Sequence, residues 1–271
     1  MPPQWRFRVS TGRNAWDVVT ARVSAIHALH LYLPASIVAA RIRRWLRDLR
    51  GASSKAPRTL LPSVSWQDVF ASRPLCLAET RKCDGNVRVS ELAILALAAS
   101  HAPPAGEIVE IGTFDGRTAL NLAINAPRDA TVMTLDLPAD QATALAIEAS
   151  ERQYVDKPAP GARLRSCAAR WREPASRVVQ LHGDSATFDW SRHEKRAGLV
   201  FVDGSHAYDY AKRDSETAMR LVRPDGMVFW HDYGVWSGVT QALEELENSA
   251  HLGLVNIRGT SLVFWHAGQG R

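Results

Sequence analysis

Short apolar runs of strand length alternate with segments of helical spacing through most of this chain. Strands are predicted at 108–111, at 131–135 running into Asp136, and at 177–181, 198–202 and 227–230. Helices are predicted at 118–125, 208–221 and 239–246, with a long helical and irregular stretch between 137 and 176. Strands that alternate with helices make a parallel, doubly wound sheet. The end of the chain differs: 254–265 reads as two strands joined by a tight turn at Gly259-Thr260, an antiparallel hairpin added to that sheet. Upstream, Glu91 to Ser100 is a strong helix former with Ser90 as N-cap, stopped by Pro103-Pro104. Residues 14–50 suggest two further helices split at Pro34.

Composition makes this an α/β protein with a basic helical N-terminal extension. The 271 residues, 46% hydrophobic, suffice for a full core, and the predicted division is 1–60 for extension and linker and 61–271 for the α/β domain. Cys76, Cys83 and Cys167 are odd in number and lack metal-ligand spacing, so neither a disulfide framework nor a structural zinc site is indicated, and a reducing, cytoplasmic setting is expected.

Charge separates the two parts further. Residues 1–60 hold eleven Lys/Arg against Asp17 and Asp48, a net +9, which leaves −4 for residues 61–271. A net negative α/β region disfavours nucleic acid as substrate. The second predicted helix, 36–50, places Ile37, Ile42, Trp45 and Leu49 near one stripe and Arg43, Arg44, Arg47 and Arg50 largely elsewhere, an amphipathic cationic helix. Two readings stay open: a helix packed on the domain with a solvated basic face, or a peripheral contact of residues 14–50 with a membrane or anionic partner. His27, His30 and Pro34 interrupt its longest apolar interval, so a spanning helix is not expected. Residues 51–57 read as a linker.

The chemistry concentrates at predicted strand ends. Glu110-Ile-Gly112-Thr113-Phe-Asp115-Gly116-Arg-Thr118 runs from a strand through a glycine turn into a helix, whose free N–H groups point back into the turn and suit an anionic group. Phe114 and Asp115 stand where a dinucleotide site needs glycine, and an acidic turn repels pyrophosphate. Glu110 adds a carboxylate that suits an ammonium group. Asp136, at the end of the second strand, is placed to accept from ribose hydroxyls. An adenosine-type acid beside a turn that welcomes an amino-acid-like group points to S-adenosylmethionine. Gly183-Asp184, Asp203 and His231-Asp232 end the next strands, so polar and acidic groups gather on one edge.

The motifs Glu110-Ile-Gly112-Thr-Phe-Asp115-Gly116-Arg-Thr118, Thr134-Leu-Asp136-Leu-Pro138, Gly183-Asp184-Ser-Ala-Thr-Phe188, Phe201-Val-Asp203-Gly-Ser205-His206-Ala-Tyr208 and Trp230-His231-Asp232-Tyr233 carry a resemblance. Together they resemble class I S-adenosylmethionine-dependent methyltransferases, specifically the bacterial small-molecule and sugar O-methyltransferase group called methyltransferase family 24. The resemblance spans roughly residues 75–266 and implies a seven-stranded Rossmann-like sheet. It implies that Glu110, Gly112, Thr113 and Gly116 surround the methionyl part of the cofactor, Asp136 the ribose, and Asp184 with Ser185 the adenine edge. It further implies a divalent metal, Mg, Mn or similar, at Asp203 and Asp232, and a catalytic role for His206 beside Asp203. For His231, ligation and structural support of Asp232 stay open, since an imidazole ligand suits Mn, Fe, Zn or Cu better than Mg.

The expected activity is O-methylation of a small hydroxylated acceptor, a sugar or natural product. A hydroxylase-associated protein and a non-catalytic adenosyl-binding subunit are the alternatives. The nine tryptophans, Trp236 among them, serve either core packing or an acceptor pocket, and the sequence leaves oligomeric state open.

Overall fold

The computed structural model describes residues 14–49, 57–81, 83–155 and 160–268. In chain order its elements are α1 (Asn14–Ile26), a π-helical segment (His27–Tyr32), α2 (Leu33–Leu49), β1 (Ser63–Val64), α3 (Trp66–Val69), α4 (Val89–His101), β2 (Glu107–Ile111), α5 (Arg117–Asn125) and β3 (Thr131–Asp136). Three short helices follow, α6 (Arg152–Val155), α7 (Ala162–Ser166) and α8 (Arg172–Ser176). Then come β4 (Val178–His182), β5 (Ala197–Val202), α9 (Tyr208–Leu221), β6 (Val222–Trp230), α10 (Ser237–Ala250), β7 (Val255–Ile257) and β8 (Val263–His266).

The strands form one sheet in the order β1-β7-β8-β6-β5-β2-β3-β4. Neighbours from β4 through β6 are parallel, while β8 runs antiparallel to both β6 and β7, which is the expected hairpin. The expected seven strands are joined by an eighth, the two-residue β1, paired to the outer edge of β7. Two residues carry no legible strand period, which is why the sequence hides it.

Alternate side chains of the central strands feed two cores. Ile108, Val132, Leu199, Phe201 and Phe229 face α4 and α5. Val109, Met133, Val200, Val228 and Trp230 face α9 and α10. Helix α4 is buried along nearly its whole length, and its cap differs from expectation. Arg88, not Ser90, is the N-cap, and Glu91 turns back to accept the Arg88 N–H at 2.8 Å.

Pro34 does not split the N-terminal helix. The wide turn over His27–Tyr32 runs straight into α2, where Pro34 is the second residue, so its missing donor falls where the ladder is already loosened. The side chains that pack inward are Ala25, Ala28, Leu29 and Leu33, with Ile37 against them, and they share the core containing Trp66 and α4. Of the predicted stripe, Ile42 and Trp45 instead face outward, 52% and 62% exposed. The segment Val19–Arg43 is, by length and composition alone, apolar enough to cross a bilayer, because neutral histidines and a tolerated proline interrupt neither helix nor apolarity. The expected linker lies, apart from Pro57, outside the described residues, as does Arg50.

Candidate active site

The parallel ladder brings the predicted strand ends side by side. Beyond the paired residues Ile111, Val202 and Trp230, the Asp203 N–H donates to the Ile111 carbonyl at 2.8 Å and the His231 N–H to Val202 at 3.0 Å. On the other side, Gly112 donates to Leu135 at 2.8 Å and Gly183 to Asp136 at 3.0 Å. Gly112 has φ +101°, and a Cβ on it would stand 2.0 Å from the Asp203 carbonyl oxygen, so only glycine permits this close crossing.

A cavity of about 380 Å³ opens at this edge, within the range of small-molecule sites. One half is walled by Gly112, Phe114, Asp136, Leu137, Thr143 and Gly183 to Ser185; the other by Arg88, Glu151, Tyr154, His206, Asp232, Val235 and Trp236. Asp136 accepts the Phe114 N–H at 2.6 Å and the Leu137 N–H at 2.8 Å, which fixes its carboxylate on the wall. A carboxylate oxygen accepts more than one donor, so this side chain, beside the bare backbone of Gly112 and Gly183, fits an adenosyl group with vicinal hydroxyls.

Three residues assigned by resemblance to the methionyl part do not line the cavity. Glu110 is fully buried, accepts from the Thr134 hydroxyl at 2.5 Å, and has its pKa pushed well above the usual range by burial and by Asp203, Asp136 and Asp115. Its carboxyl group points under the turn toward Thr134 and does not face the cavity. Thr113 is buried with it and pairs with Thr134 at 2.7 Å. Gly116, at φ +85°, is the left-handed cap of α5, packed where a Cβ would meet Leu164. Asp184 lines the cavity, but its carboxylate accepts from Tyr210 Oη at 2.5 Å, Ala144 N at 2.7 Å and Ala186 N at 2.8 Å. It holds the 143–145 loop in place, and Ser185 beside it faces the cavity.

The half of the cavity that holds His206 and Trp236 carries a network of acids and imidazoles. His206 Nε2 lies 2.7 Å from Asp232 and Nδ1 2.8 Å from Glu151. Its ring stacks on Trp236 at 4.4 Å with planes 4° apart, and Tyr154 meets it edge-on at 6.3 Å. Burial opposes charge on His206, yet Asp232 and Glu151 outweigh it and raise its pKa to about 9. His206 is therefore an imidazolium at neutral pH in this state, not the ready base the sequence suggests.

His231 is turned the other way. Its Nδ1 lies 2.9 Å from Asp203 and 3.3 Å from Asp232, and its Nε2 lies 3.4 Å from Glu91. Burial again works against charge, but Asp203, Asp232 and Glu91 hold the imidazole well above its ordinary pKa. With both nitrogens taken, His231 supports the carboxylates and does not join the ligand set. Among the described residues it is instead His206 that stands with the two aspartates, the three offering atoms within 4.8 Å of one another, so the metal reading keeps its aspartates and has His206 rather than His231 beside them. Glu91, Glu151, Asp203 and Asp232 face Arg88, His206 and His231, one negative charge in excess, which a divalent cation would balance with the loss of one imidazolium proton. Two carboxylates and an imidazole are a borderline set that fits Mn or Fe at least as well as Mg. Asp232 sits at φ +63°, a left-handed conformation that aspartate tolerates better than most residues and that aims it into the cluster.

Sequence reasoning missed Arg88, Glu91, Glu151 and Tyr154. Glu91 is buried at the start of α4, where it accepts from Ser261 N and Ser261 Oγ, both at 2.9 Å, as well as from Arg88. One signal existed for it: a glutamate among apolar residues at the start of a buried helix needs partners.

Residues 109–233 match the model of a family described as "Methyltransferase domain". No curated protein matches the chain. Among solved structures, the calicheamicin methyltransferase CalS11 is 15% identical, with 66% of this chain and 78% of that one covered and a TM-score of 0.47. The O-methyltransferase TomG from Streptomyces achromogenes, involved in tomaymycin synthesis and solved with SAM, is 20% identical over 68% and 83%, with a TM-score of 0.46. The O-methyltransferase NovP is 18% identical over 66% and 80%, with a TM-score of 0.47.

Proposed function

We propose that this chain, whose residues 109–233 match a methyltransferase-domain model, is an S-adenosylmethionine-dependent methyltransferase that methylates a hydroxyl of a small sugar-like or natural-product acceptor with the help of a divalent cation. The observation that carries this reading is the Asp203, His206 and Asp232 cluster in the same cavity as Gly112 and Asp136. S-adenosylmethionine supplies a methyl group already activated on a sulfonium, so the chain has to align an oxygen with it and manage one proton. A divalent cation held by Asp203 and Asp232 supplies the charge that lowers the acceptor hydroxyl's pKa.

The residues divide the remaining work. Trp236, Tyr154 and Val235 give the acceptor's carbon skeleton an apolar wall and keep water from the line of transfer. Glu91 and His231 hold Asp203 from behind. Glu151 holds His206 at Nδ1 and leaves Nε2 toward Asp232 and the acceptor. With a cation on the two aspartates, the charge that raises the His206 pKa would be offset and its proton would pass to solvent; Nε2, left out of the cation's ligands, would then accept the acceptor hydroxyl's proton.

The test is methyl transfer from labelled S-adenosylmethionine to a panel of hydroxylated sugars and aryl natural products, with and without chelator. Asp203→Asn and Asp232→Asn should each abolish most turnover and its metal dependence, and His206→Ala should lower turnover roughly 10²–10⁴-fold without weakening S-adenosylhomocysteine binding. Full wild-type activity in chelator removes the cation from the reading. An unimpaired His206→Ala enzyme removes the base.

A further inference from the structure

We propose that the outward face of the N-terminal helix docks in the plane of an anionic lipid bilayer. Its apolar residues recur at helical spacing: Val19, Val23, Ile26, Leu31, Val38, Ile42 and Trp45 are all more than half exposed, with Tyr32 45% exposed beside them. A water-soluble monomer seldom leaves so long an apolar stripe uncovered. Between residues 19 and 43 the only charged side chains are Arg22, Arg41 and Arg43, all exposed, with no acid. An apolar stripe on a helical segment that holds Arg22, Arg41, Arg43, Arg44 and Arg47 against Asp17 and Asp48, with a tryptophan near one end, suits the boundary between acyl chains and anionic headgroups.

The opposite face fixes the orientation. Leu29 and Leu33 are buried in the core, the Ala21 carbonyl accepts from Leu77 N at 3.1 Å, and Ile37 sits against Gly259 of the terminal hairpin. A helix tied down along its inner side cannot cross a membrane without unfolding that core, so it lies on the surface. A second copy fits the stripe less well, because a two-fold contact would bring like charges of the same face together.

The experiment is sedimentation of the full chain with vesicles of equal parts phosphatidylcholine and phosphatidylglycerol, and with vesicles of phosphatidylcholine alone. The wild-type protein should bind the mixed vesicles roughly tenfold or more tightly than the neutral ones, and added salt should weaken that binding. A variant carrying Ile42→Glu and Trp45→Glu should lose roughly tenfold or more while melting at the wild-type temperature, since both side chains are exposed. Arg41→Glu with Arg43→Glu should reduce binding to the mixed vesicles only. Absence of binding, or equal binding by the Ile42→Glu, Trp45→Glu variant, overturns the proposal. So does lipid-free dimerisation by the wild type that this variant loses, which would assign the face to a second copy. Retention in cell membranes after alkaline carbonate would overturn it in favour of a spanning helix.

Discussion

His206 carries a carboxylate at each ring nitrogen, so a proton on it and the divalent cation proposed for Asp203 and Asp232 would compete for the same small volume. Its pKa of about 9 sets the range over which this competition is felt: below it the imidazolium must lose a proton as the cation enters, and above it no proton is lost. Cation affinity is accordingly expected to fall as pH drops below about 9, by up to roughly tenfold per unit, and to level off above it. Calorimetric titration of the full chain with Mn²⁺ across that interval measures the slope. His206→Ala should flatten it, and an unchanged slope in that variant would mean that another group holds the proton. Glu91 belongs to the same scale. Because it is buried with His231 and Arg88 against it, its carboxyl stays ionised well below the usual range despite the burial, and it anchors His231 throughout.

Two parallel strands meet so closely at Gly112 that the turn after β2 and the end of β5 share one backbone crossing. Gly112→Ala puts a methyl group on top of the Asp203 carbonyl at a φ that alanine resists, and a loss of about 3 kcal/mol or more is expected. Denaturant unfolding of the variant checks this; near-wild-type stability would mean that β2 and β5 separate without cost. These strands were legible because each is a short apolar run ending in an acid or glycine, and a parallel sheet brings such ends to one edge. That is how the sequence places Asp136, Asp203 and Asp232 on one edge, where the structure has them lining one cavity. Glu151 was not, because it lies in the aperiodic stretch before β4, where nothing local says that one carboxylate reaches a histidine 55 positions later. Glu110 was hard to place for a related reason: the sequence shows its charge type but not the burial that takes it off the cavity wall and raises its pKa.

At the scale of the whole molecule, the N-terminal extension and the α/β domain share a core through Leu29, Leu33 and Trp66, so the extension is structural as well as peripheral. The cavity is likewise a shared construction. A single stretch of chain covers both of its halves, with Thr143 and Ile147 over the Asp136 side and Glu151 and Tyr154 over the Trp236 side. That stretch is fastened at both ends, by Ala144 to Asp184 and by Glu151 to Ser205 at 3.1 Å. With one stretch lining both halves, we expect an ordered reaction in which the nucleoside binds first and its spent form leaves last. Product-inhibition patterns should therefore show S-adenosylhomocysteine competing with S-adenosylmethionine but not with the acceptor, and Glu151→Gln, by loosening one fastening, should speed nucleoside release. Competition between the demethylated cofactor and the acceptor would mean that the two halves open independently.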